Sequence, residues 1–140
     1  MTRQETLAIL AMLKAAYPAS YKGMTKEDAN GAVSTWQEQF EGMPFYIVRL
    51  AVNRLIAKNK FSPAISEVRR EIKALHCEAL GQLLEHRELH NLDDKTVKNL
   101  ERFIELTAYM NSDRVPDMSV TRLLNSSPQN NLIAGDKYDT

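Results

Sequence analysis

The chain reads as an all-α protein, a compact helical bundle of about five helices with a flexible C-terminal tail. Two observations predict this. Its 140 residues contain only five glycines and five prolines, and show little of the strict alternation that marks strands. Apolar residues instead recur three and four positions apart in segment after segment, the spacing that builds one face of a helix. At 44% apolar and 26% charged, the composition suits a globular domain able to bury a real core.

The segment Lys60–Leu75 organises the rest. Ser62 has the chemistry of an N-cap, and Pro63 suits the first helical position, where a missing N–H costs nothing. Ile65, Val68, Ile72 and Leu75 then form one apolar stripe, with Glu67, Arg69, Arg70 and Lys73 largely off it. So narrow a face cannot hold a helix in water unless other helices cover it.

The covering helices follow in chain order. A first helix is expected over residues 3–17, where Thr2 and Glu5 make a capping box. Leu7, Leu10, Leu13 and Tyr17 give its inner face, widened by Ile9 and Met12, and Pro18 ends it. Thr25 and the acidic Glu27 and Asp28 start a second helix, as the helix dipole favours. There Ala29, Val33, Trp36 and Phe40 face inward, and Gly42 is a natural stop. Pro44 opens a third helix whose inner stripe is Val48, Ala51 or Val52, and Leu55; Arg49, Arg54 and Lys58 lie mostly outside it. A short turn at Asn59–Phe61 leads into the central helix, expected to continue to about Leu89. Gly81 inside it costs roughly 1 kcal/mol relative to alanine, which leaves room for a kink or break. Asn91–Asp94 caps a fifth helix carrying Val97, Leu100, Ile104 and Thr107 to about Met110. Asp117–Leu124 suits a short helix, and residues 125–140 have the polar composition of a flexible tail. The resulting divisions are 1–75, a helical extension at 76–112, and 113–140.

Several function classes find no support. The longest apolar run, Leu7–Leu13, is too short to span a bilayer, and the Arg3, Glu5 and Lys14 charges do not make a signal-peptide core, so a cytoplasmic protein without membrane contact is expected. Cys77 is the single cysteine, which excludes an internal disulfide framework and reads as a buried or half-buried structural thiol. Net charge is zero, but residues 1–75 hold 11 Lys+Arg against 7 Asp+Glu, and residues 76–140 hold 7 against 11. An excess of four is well short of a dedicated nucleic-acid binder.

The best metal candidate is His86-Arg87-Glu88-Leu89-His90, two histidines four apart on a helix. The metalloprotease signature places glutamate directly after the first histidine; here that place holds Arg87, and Glu88 comes one step late. On an unbroken helix His76 lies roughly 15 Å from His86. Exposed histidines, no metal and no cofactor are therefore expected. With scattered single glycines and no nucleophile arrangement, the chain is expected not to be an enzyme. Trp36, Phe40, Phe45 and Phe61 read as core or staple residues.

The third and central helices, joined by a tight turn and bearing Arg69, Arg70 and Lys73, are also compatible with a helix-turn-helix DNA-binding regulator. The turn lacks the glycine such motifs often carry.

Three stretches resemble a known family: Thr6–Pro18; Ala32-Val33 with Trp36 and Phe40; and Val48–Ile56 followed by Lys60–Val68. They are similar to the N-terminal domain of phage replicative-helicase loader/inhibitor proteins. That domain ends in a comparable Phe-Pro-Pro-Thr-Ile-Ala-Glu-Ile helix start; here Ser62 stands for the first proline and Ala64 for the threonine. The resemblance covers about residues 3–75. It implies a non-enzymatic DNA-replication adaptor that binds a hexameric helicase, holds it inactive and hands it to an origin-bound initiator in the host cytoplasm. Inhibition of another host protein is the alternative within this class. Two contact zones are expected. One is the basic outer face formed by Arg49, Arg54, Lys58, Arg69, Arg70 and Lys73. The other is the apolar set Val120, Leu123, Leu124, Leu132 and Ile133.

Overall fold

The computed structural model describes residues 1–111, which form five α-helices and no strand. These are α1 (Arg3–Ala16), α2 (Lys26–Gln39), α3 (Phe45–Lys58), α4 (Ile65–Leu89) and α5 (Asp94–Asn111), with a 3-10 turn at Pro18–Tyr21 between α1 and α2. The all-α architecture read from the sequence is therefore the one observed. Helix α1 packs on α2 and α3, α3 packs on α4, and α5 lies along α4.

Local chemistry fixes the helix starts. Thr2 and Glu5 form the anticipated capping box, and Thr25 with Asp28 forms another. Asp93 caps α5, its Oδ1 accepting the Thr96 N–H at 3.0 Å. Gly42, just past α2, has φ +80°, a backbone state open to glycine at little cost.

One core joins the first four helices. Ile9, Leu13, Phe40, Met43, Ile47, Val48, Val52, Val68 and Ile72 are all essentially inaccessible. The Trp36 and Phe40 rings sit 5.6 Å apart, tilted by 37°, a favourable aromatic geometry. Phe103 and Leu106 of α5 touch this core while staying only partly buried.

The structure departs from the sequence reading in particular places. The buried stripe of α1 is Thr6, Ile9 and Leu13, and Leu7 is 46% exposed. Thr6 can go inside because its hydroxyl donates to the Thr2 carbonyl at 2.9 Å, leaving no unpaired donor. Helix α4 starts at Ile65 with Ala64 at the N-cap, two residues later than Ser62 and Pro63 suggest. The Ser62 hydroxyl is engaged by Tyr21 at 3.0 Å, and the Glu67 carboxylate takes over the cap by accepting the Ala64 N–H at 3.0 Å. The α3–α4 connection is consequently a longer segment, residues 59–64, than the tight turn expected. Gly81 causes no break: α4 is continuous for 25 residues.

Candidate protein-binding surfaces

The basic residues of α3 and α4 separate into two groups. Glu71 is only 6% exposed although it lies on the apolar side of α4. A buried carboxylate needs a charged partner. Lys58 Nζ supplies one at 2.5 Å, and Arg54 Nε adds another at 3.4 Å. The Arg54 guanidinium also grips Glu78 with two bonds, at 2.6 and 3.2 Å. That hydrogen bond holds the Glu78 carboxyl below the usual carboxylate range and raises Arg54 further. Arg54 and Lys58 thus neutralise acids across the α3–α4 seam. Arg69 donates to the Gln39 carbonyl at 3.2 Å, tying α4 to the end of α2. Arg49 and Arg70 are exposed, and Lys73 is half-buried. Val120, Leu123, Leu124, Leu132 and Ile133 lie outside the described residues.

The histidines do different work from that expected. His76 is buried, with Nδ1 2.7 Å from Thr107 Oγ1. Because the Thr107 hydroxyl donates to the Phe103 carbonyl at 2.8 Å, the His76 Nδ1–H is the donor to Thr107. This pair fastens α5 to α4. His86 is half-buried and its Nδ1 accepts the Leu92 N–H at 3.1 Å, closing the α4–α5 turn. His90 is exposed and caps α4 in the left-handed region at φ 49°. The His86 and His90 rings meet edge-on at 5.9 Å. Among the described residues no group of three His, Cys, Asp or Glu side chains could hold a metal ion. Cys77 is exposed, not buried: it follows His76 and so falls on the outer side of α4.

Two features escaped the sequence reading. Phe61, expected in the core or as a staple, is 74% exposed. Its loop is braced: Tyr17 donates its hydroxyl to the Asn59 carbonyl at 2.8 Å, Tyr21 meets Ser62, and Asn59 Nδ2 reaches Glu67 at 3.2 Å. Lys60 Nζ lies 5.7 Å from the Phe61 ring centre. A rigidly presented aromatic at low entropic cost is the kind of anchor that protein interfaces favour. The only hint in the sequence is that a Ser-Pro pair follows Phe61 and pulls the chain away from helix there.

The second feature is a groove of about 600 Å³ between α3, α4 and α5. Tyr46, Leu75, Ala79, Leu100 and Phe103 line it, with Arg102 among the polar residues at its edge. It arises because Tyr46 faces outward from α3 while α5 covers only part of α4. Periodicity alone cannot reveal such a gap, since every one of these residues except Tyr46 sits on a predicted inner face.

Residues 1–69 match the family model for the N-terminal domain of the phage gene-39 protein, a domain of the helicase loader/inhibitor family that the sequence resembles. No curated protein and no solved structure matches the chain. No helix among the described residues is long and apolar enough to cross a membrane.

Proposed function

With residues 1–69 forming the N-terminal domain of a phage helicase-associated family, we propose that the protein is a non-enzymatic adaptor that binds a ring-shaped replicative helicase and regulates its loading at an origin. The domain match is the observation that carries this reading. The surface chemistry fits it: a braced, exposed Phe61 beside Lys60 suits docking into an apolar pocket with an acidic rim. Of the basic residues, Arg49 and Arg70 are the best contacts, because Arg54 and Lys58 are already engaged by Glu71 and Glu78. Leu132 and Ile133 offer a second, apolar contact. The same pairing argues against DNA as the primary partner, since two of the cations a recognition surface would need are neutralised.

The test is a titration of the purified full-length chain against a purified replicative helicase, read by co-sedimentation and helicase ATPase. Binding at micromolar protein with a changed ATPase rate is expected. Phe61→Ala should weaken it at least tenfold while moving stability by no more than about 0.5 kcal/mol, as befits an exposed side chain. No binding at micromolar protein would end the proposal.

A further inference from the structure

We propose that residues 117–124 of the same chain fold back to fill the groove between α3 and α5. This inference does not depend on the helicase reading.

The groove supplies a bed of fitting chemistry. Its floor is apolar (Leu75, Ala79, Leu100, Phe103), and Tyr46 on its wall is 53% exposed. The five residues Val97, Leu100, Phe103, Ile104 and Leu106 are all only half-buried against α4, so α5 retains apolar surface to cover. The segment Asp117–Leu124 carries Val120, Leu123 and Leu124 at positions i, i+3 and i+4. That is the anchor pattern of a short helix laid in an apolar groove.

The connecting distances close. Helix α5 ends at Asn111, eight residues or about 12 Å beyond Phe103. Residues 112–116 join Asn111 to Asp117 and can span up to about 20 Å, more than the return requires. Pro116 stands where a helix must restart. From Asp117 to Leu124 a helix rises about 10 Å, and the α5 side of the groove, Thr96 to Phe103, has the same length. An antiparallel return therefore places Asp117 beside Arg102, opposite charges at one end, and Leu124 beside Thr96 at the other.

Hydrogen exchange on the full-length chain tests this. Amides of 117–124 should exchange at least roughly tenfold more slowly than in the free peptide. The protection should vanish in Tyr46→Asp, which alters an exposed groove wall, and in Leu123→Asp/Leu124→Asp. Circular dichroism should show the helical core of the variants unchanged. In a Cys77→Ser background, Asn99→Cys with Thr121→Cys should oxidise to a disulfide within the monomer. Exchange of 117–124 at the free-peptide rate overturns the proposal. So does a disulfide found only at dimer mass, which would show that a second copy fills the groove, and so does protection that survives both substitutions.

Discussion

The first four helices and the α4–α5 hairpin are built to different standards. In the former, side chains from α1, α2, α3 and the first half of α4 interlock until nine of the core residues are essentially inaccessible. In the latter, α5 rests on one neighbour, its apolar residues are half-exposed up to Thr107, and Leu80, Leu84 and Leu89 of α4 face solvent. Apolar burial is the main favourable term in folding. The first region is therefore stabilised by its own packing, whereas the second leans on a few specific polar bonds and has surface left for another element. The contrast also follows the family boundary, since the matched domain ends at residue 69, inside α4.

The largest effects should come from the tightly packed region. Phe40→Ala is expected to cost about 3–5 kcal/mol, because the aromatic is fully buried and its neighbours can collapse only in part. Urea unfolding would measure it; a loss below about 1 kcal/mol would break the contrast. In the hairpin, Thr107→Val should cost about 1–3 kcal/mol by leaving the buried His76 donor unpaired. Hydrogen exchange should show this loss in α5 first, with α1–α3 still protected. Loss spread evenly over all five helices would mean the two regions unfold as one.

Smaller changes sharpen the picture. Gly81→Ala should stabilise the chain by about 0.5–1 kcal/mol, since Gly81 is helical and exposed with nothing within 4 Å of an added Cβ. Arg54→Gln should cost no more than about 0.5 kcal/mol through its exposed pair with Glu78, with a further loss through buried Glu71. Glu78 has its pKa lowered on folding, so its contribution is present above the unfolded value of about 4.3 and fades as pH falls through the lower folded value. The acid limb of a stability–pH curve should flatten in this variant, and an unchanged limb would remove the pair from the account.

How much of this was legible depended on whether one residue's chemistry decided the outcome. The Thr2–Glu5 box, the Gly42 stop and the stripe Val48, Ala51, Val52, Leu55 are decided within a turn or two of chain, and the sequence announces them. Thr6, Glu71 and His76 are buried polar groups whose partners are Thr2, Lys58 with Arg54, and Thr107. Only the first partner is a near neighbour in sequence; the others come from another helix, so periodicity misplaces the residues. Phe61 fails for the opposite reason: hydrophobicity argues for burial, but Tyr17 and Tyr21 pin its loop from 41 and 42 positions away and leave the ring outside. Of the contact residues inferred from the sequence, the charges could be named but not their pairings. The groove required knowing how far α5 fails to cover α4.

Helix α4 belongs to both regions at once. Its 25 residues make a rod about 37 Å long, with one end clamped among α1–α3 and the other carrying α5. A stiff beam anchored in this way acts as a lever: whatever grips the outer hairpin applies a torque at Val68 and Ile72. A partner could in this way shift the tilt of the Lys60–Ala64 loop without touching it.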